Sequence, residues 1–109
     1  MPSAAAAENK IFQALADPSR RAIFKSLLRG EAAVKELTAR FDISQPAVSQ
    51  HLATLKEAGL VIARREGRCT YYRVQPRGMK PLIDWIAHYR VFWTEHVGRL
   101  EQLLEEMDE

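Results

Sequence analysis

Cysteine is nearly absent from this 109-residue chain: it occurs once, as Cys69. A single thiol excludes an intrachain disulfide framework and fits a reducing cytosol, so a cytoplasmic location is expected. Long apolar runs are missing as well. None approaches the roughly 20 residues that span a bilayer, so no membrane partner is expected. The Ala-rich opening after Met1 lacks the basic flank and unbroken apolar stretch of a signal peptide. Neither an internal repeat nor a second domain is visible, and one domain of this size is small enough for dimerisation to complete a partial core. With 47% apolar and 28% charged residues, the composition excludes a disordered or collagen-like chain.

Net charge is also small, at +2, but it is unevenly spread. Residues 1–77 hold 13 Lys/Arg against 7 Asp/Glu, whereas residues 78–109 hold 3 against 7. A basic body joined to an acidic tail suits two partners, a polyanion for one part and a protein surface for the other.

Residues 1–8 lack an apolar partner face and read as a flexible N-terminus. Ile11, Phe12 and Leu15 mark a first short helix. Asp17-Pro18 reads as an N-cap followed by proline at the first helical position. Behind it, Ile23, Phe24, Leu27 and Leu28 form an apolar stripe up to Gly30, while Arg21, Lys25 and Arg29 form a second stripe read as solvated. Val34, Leu37 and Phe41 mark a third helix. Ser44 caps a fourth, in which Val48, Leu52 and Leu55 face inward and Gly59 ends the pattern. The period then changes: Leu60–Arg65 and Cys69–Val74 are rich in branched and aromatic residues and read as a β-hairpin around Glu66-Gly67. Residues from about 79 to 107 read as one long helix of roughly 43 Å. The domain therefore divides into a core at 9–77 and a C-terminal dimerisation helix at 78–109.

A helix-turn-helix followed by a basic hairpin is the winged-helix pattern, mainly α with a β-hairpin wing and about five helices. The fourth helix carries short polar side chains that reach base edges in a major groove, and hairpin arginines can neutralise phosphates or enter the minor groove. The candidate DNA-contacting residues are Ser44, Gln45, Pro46, Ala47, Ser49, Gln50, His51, Thr54 and Lys56 on the helix, with Arg64, Arg65, Arg68 and Tyr71 on the hairpin. The partner is then double-stranded DNA. His51 and Ser49 lack a buried orienting carboxylate or an oxyanion site, so no enzyme is expected.

Three ordered blocks, Leu15-Ala-Asp-Pro-Ser-Arg-Arg-Ala-Ile23, Ser44-Gln-Pro-Ala-Val-Ser-Gln-His-Leu52 and Leu55-Lys-Glu-Ala-Gly-Leu-Val61, resemble the ArsR/SmtB winged-helix transcriptional repressors of bacteria. The resemblance runs from about Ile11 to Val74. It implies a homodimer that binds an operator near its own gene and blocks transcription, with Ser44–Leu55 as recognition helix, the hairpin as wing, and the first and last helices as dimer interface.

Many members of that family sense metals, but the metal motifs are not present here. Where the family's thiolate site has two cysteines in the third helix, this chain reads Glu31-Ala-Ala-Val-Lys-Glu-Leu37, with Ala33 and Lys35 in their places. The family's zinc site needs Asp-x-His and, about a dozen residues later, His-x-x-Glu or His-x-x-His. Here Ile86 stands two residues after Asp84 and Arg99 three after His96, and His88 does not restore the spacing. No metal and no cofactor are expected. The tail Phe92-Trp93…Arg99-Leu100…Leu103-Leu104 resembles a non-metal branch of the family, and the effector is open.

Leu82, Ile86, Tyr89, Trp93, His96, Leu100, Leu103 and Met107 recur at alternating steps of four and three, a heptad seam interrupted by one histidine. With Ile11 and Phe12 of the first helix they are the candidate dimer interface. Trp85 and Phe92 form a second apolar face expected to pack on the winged domain. His96 reads as a satisfied polar group of the seam or as a pH-sensitive element. Cys69 beside Arg68 reads as structural, with a redox switch as the alternative. Two other functions stay open: a protein-interaction module on a winged-helix scaffold, and a metal-responsive sensor with an atypical site.

Overall fold

The computed structural model describes residues 4–107; the side chain of Trp93, a candidate interface residue, lies outside the described residues. The order of elements is α1 (Ala4–Ala16), α2 (Pro18–Leu27), β1 (Ala32–Ala33), α3 (Val34–Arg40), α4 (Gln45–Glu57), β2 (Val61–Glu66), β3 (Cys69–Val74), a 3₁₀ turn (Pro76–Met79), α5 (Lys80–His88) and α6 (Arg90–Met107).

Helix α1 begins at Ala4, so the expected flexible stretch at 1–8 is helical over its described part. Alanine has the best helix propensity, which sustains the helix without an apolar stripe. Asp17 caps α2: its Oδ1 accepts from the backbone N–H of Ser19 at 2.8 Å and of Arg20 at 3.1 Å, with Pro18 in the first turn. The two arginines that follow turn back and close the end of α1. Arg20 donates through Nε to the Ala14 carbonyl at 2.7 Å and through Nη2 to that of Gln13 at 3.1 Å. Arg21 donates through Nη1 to the carbonyls of Leu15 at 2.7 Å and Ala16 at 3.0 Å. Cations thus meet carbonyl groups that a helix end leaves unsatisfied and where its dipole is negative. Arg21 is a cap as well as a member of the stripe read as solvated.

The core draws Ile11 and Ala14 from α1, Ile23, Phe24 and Leu27 from α2, Leu37 from α3, and Val48, Leu52 and Leu55 from α4, closed by Ala32, Leu60 and Val61. Burying each large side chain contributes about 1.5–3 kcal/mol. Three antiparallel strands lie in the order β1-β3-β2. The hairpin pairs Val61 with Val74, Arg64 with Tyr71 and Glu66 with Cys69, and β1 adds Ala32 opposite Tyr72 and Ala33 opposite Tyr71. Strand β1 was not expected: two alanines have little strand propensity and no period to read.

The long helix expected at 79–107 is two helices. Tyr89, at φ −104° and ψ 11°, separates α5 from α6. Neither proline nor glycine stands there. Instead Trp85 packs edge-on against Phe12 of α1 at 5.5 Å, and the Tyr89 ring lies 5.1 Å from Trp85 and 5.0 Å from His88. These contacts, in a stretch of poor helix formers (His88, Tyr89, Val91), override the apolar period. Pro81 lies in the first turn of α5. Just before it, Gly78 sits so close to the end of α4 that a Cβ there would overlap the carbonyl oxygen of Gly59.

Every described side chain of α6 is exposed. The molecule is accordingly elongated, 58 × 40 × 20 Å, with a radius of gyration of 17.6 Å against the ~13 Å of a compact chain of this length. No described helix is long and apolar enough to cross a membrane.

Candidate nucleic-acid interface

The turn between α3 and α4 is set by Ser44, whose Oγ accepts from the Ala47 N–H at 3.2 Å, with Pro46 in the first turn. Val48, Leu52 and Leu55 anchor α4 by one face. Gln45, Pro46, Ser49, Gln50, Ala53 and Lys56 are exposed. Gln45 and Ser49 line a cleft of about 210 Å³ with Ala33, Val34 and Lys35 from the start of α3, and Arg68, Cys69 and Thr70 from the hairpin. Short hydrogen-bonding side chains thereby share one surface with two cations, the pairing of base-reading and phosphate-neutralising groups that duplex recognition needs.

The hairpin turns on Gly67 and Arg68. Gly67, at φ 61°, occupies the left-handed conformation that its first position requires, and Arg68 beside it is exposed. Arg65 donates through Nε to the Gly67 carbonyl at 3.4 Å. Among the described residues neither Arg65 nor Arg68 has a carboxylate within ion-pair distance.

Arg64 differs. Its Nη2 and Nε reach the two carboxylate oxygens of Glu31 at 2.6 and 3.3 Å, and its Nη1 lies 2.7 Å from Glu66 Oε2. The guanidinium also sits 4.8 Å from the centre of the Tyr71 ring. The hydrogen bond from Arg64 is the main cause holding the Glu31 carboxyl below its ordinary range, and the same bonds raise the arginine. Tyr71, half-buried beneath it, has its phenol pushed up, first by neighbouring Cys69 and then by burial. Arg64 and Tyr71, both expected to contact DNA, are engaged within the protein.

Two residues of α4 expected to contact DNA, His51 and Thr54, do not line this cleft. His51 is half-buried, and its enclosed Nδ1 has no hydrogen-bond partner among the described residues. It lies on the flank of α4 toward α2. Thr54 donates to the Gln50 carbonyl at 3.2 Å and lines a separate depression with Lys10, Gln13, Arg20 and Glu57. At about 100° per residue, these two lie on the side of the helix opposite Ser49, away from the cleft. Ala47 is half-buried. Sequence reading missed Lys35, Thr70 and Ala53; a lysine in the first turn of the helix before the turn was the available signal for the first.

The candidate dimer residues divide too. Ile11, 1% exposed, is spent in the core of its own subunit, and Leu82 packs against that core; an interface has nothing of Ile11 left to cover. Phe12, Ile86, Tyr89, Leu100, Leu103 and Met107 are exposed, as are Val97 and Leu104 beside them. Phe92, expected against the winged domain, is exposed and stacks on His96 at 4.1 Å. His96 Nδ1 lies 2.9 Å from the Phe92 carbonyl, so the histidine of the seam is satisfied within its own helix. Cys69 is exposed at the hairpin.

A family model described as bacterial regulatory protein, arsR family, matches residues 17–63, which hold α2, the helix-turn-helix and the start of the wing. Over 97 residues the chain is 40% identical to an HTH-type transcriptional regulator of Mycobacterium tuberculosis, covering 89% of this chain and 88% of that one. Over 81 residues it is 32% identical to the transcriptional repressor SdpR of Bacillus subtilis, covering 74% and 90%. A solved ArsR family transcriptional regulator superposes with a TM-score of 0.75 at 33% identity, covering 86% of this chain and 97% of that one. An ArsR-like transcriptional regulator from Rhodococcus gives 0.72 at 26%, covering 90% and 92%. That family is one of regulators, not enzymes. With the recognition helix and wing in the geometry described, the chain belongs to the arsR family of bacterial regulatory proteins and is a DNA-binding transcriptional regulator.

Proposed function

We propose that the chain acts in the cytoplasm as a homodimeric repressor of an operator near its own gene. Residues 9–77 carry the DNA contacts and residues 78–109 the dimer. The observation that carries the reading is the shared cleft, which Gln45 and Ser49 of α4 line together with Lys35 and Arg68. In this reading Gln45, Pro46, Ser49 and Gln50 meet base edges, while Lys35, Lys56, Arg65 and Arg68 meet phosphates. Phe12, Ile86, Tyr89, Leu100, Leu103 and Met107 cover one another across the two-fold axis. Support for dimerisation comes from α6: an 18-residue helix with a broad apolar face and no covering element among the described residues needs a partner surface, since isolated helices of this length are marginal in water.

A footprint on the DNA upstream of the protein's own gene tests the reading. A protected, two-fold symmetric site with half-sites about one helical turn apart supports it. Salt-sensitive coating of any duplex, with no protected site, counts against operator binding at that gene.

A further inference from the structure

We propose that Arg64 is a positioning residue of the wing, bracing the hairpin against Glu31 instead of contacting a phosphate; this deepens the DNA-binding reading and rests on it.

The hairpin has a weak point. Strand β1 ends at Ala33, opposite Tyr71. Beyond that rung only Arg65–Thr70 and Glu66–Cys69 remain paired, so the turn bearing Arg68 projects as a two-stranded ribbon, which is marginal in water. Arg64 is the partner of Tyr71 in the last rung that has a third strand. Its guanidinium grips both oxygens of Glu31, at 2.6 and 3.3 Å, takes Glu66 at 2.7 Å and lies over the Tyr71 ring. A two-pronged grip fixes orientation as well as distance. Glu31 precedes β1, which runs directly into α3. One side chain therefore ties the base of the wing tip to the segment that leads into the helix-turn-helix.

Charge argues against a phosphate contact. Arg64 with Glu31 and Glu66 carries a formal −1, so a phosphate would have to displace carboxylates already seated. Among the described residues, Arg65 and Arg68 carry no such partners.

Glu31→Gln separates bracing from charge because the two predict opposite signs. Removing a carboxylate near a polyanion tightens binding by charge alone. Loosening the brace instead weakens duplex binding about two- to fivefold, the range of an exposed but networked pair. It also speeds amide hydrogen exchange at residues 65–70 while the amides of α4 are unchanged. Arg64→Lys, which keeps the charge and loses the fork, is expected to do the same. Arg64→Ala is expected to leave the slope of log affinity against log salt unchanged, whereas Arg68→Ala lowers it by about one. Tighter or equal binding by Glu31→Gln with unaltered exchange at 65–70 overturns the proposal, as does an Arg64→Lys protein identical to wild type. If wild type binds no duplex, the DNA-binding reading fails on its own, and the exchange measurement still decides whether Arg64 braces the hairpin.

Discussion

Arg68 in the hairpin turn and Gln45 in the first turn of α4 line one cleft. In the proposed reading the wing and α4 therefore address the same stretch of duplex, one through its backbone and the other through its bases.

That division separates two variants. Arg68→Ala is expected to weaken binding to all sequences alike and to reduce the salt slope by about one. Gln50→Ala is expected to cost about 1–3 kcal/mol, at one base position and without changing the slope. Titrations at several salt concentrations against matched and mismatched duplexes check this, and identical profiles for both variants would refute the assignment.

Gly78 allows no side chain. Gly78→Ala places a methyl group on the Gly59 carbonyl, and the backbone there must shift, at about 1–3 kcal/mol by the scale of overpacked cores. Thermal unfolding should fall by several degrees, whereas Gly98→Ala, where a Cβ meets open space within α6, should not destabilise. Equal melting temperatures would contradict the close approach.

Leu100 and Leu103 are exposed on the apolar face of α6. If α6 forms the proposed dimer, Leu100→Glu is expected to weaken self-association by about two orders of magnitude or more, since that dimer would lose two buried leucines worth about 1.5–3 kcal/mol apiece. Sedimentation equilibrium reads this directly. Unchanged association would move the interface elsewhere.

Asp17 is held below its ordinary range by the backbone N–H groups it caps. Its folded value is lower than its unfolded value, so its charge stabilises the fold above the unfolded value, and that contribution is lost as pH falls through the folded one. Asp17→Asn keeps a capping oxygen but cannot titrate. The variant should lose less stability than wild type between about pH 6 and about pH 3 in denaturant midpoints, and parallel curves would show that the cap does not titrate with folding.

The parts of the fold legible in the sequence are those written by neighbours. Asp17-Pro18 and Ser44-x-Pro46 announce helix starts because capping is a matter of three residues. Val48, Leu52 and Leu55 announce a buried face because helical periodicity is local. The hairpin follows from branched residues around a glycine turn. Long-range partners leave no such mark. Glu31 meets Arg64 from 33 residues away, so an arginine read as free for DNA is in fact engaged. The break at Tyr89 follows from Trp85 finding Phe12, in another helix. His51 differs from Gln50 by one step along α4, yet that step turns it toward α2, and helix boundaries read to within a residue or two do not fix such a rotation.

The contact between Gly78 and the end of α4 couples two parts of the molecule mechanically. Backbone touches backbone there, and the Gln75 N–H donates to the Leu60 carbonyl at 2.9 Å alongside. A movement of α5 therefore reaches the last turn of α4 without a side chain between them to change rotamer and absorb it. The end of α4 and the segment leading to α6 thus meet backbone to backbone, a contact stiffer than side-chain packing would make.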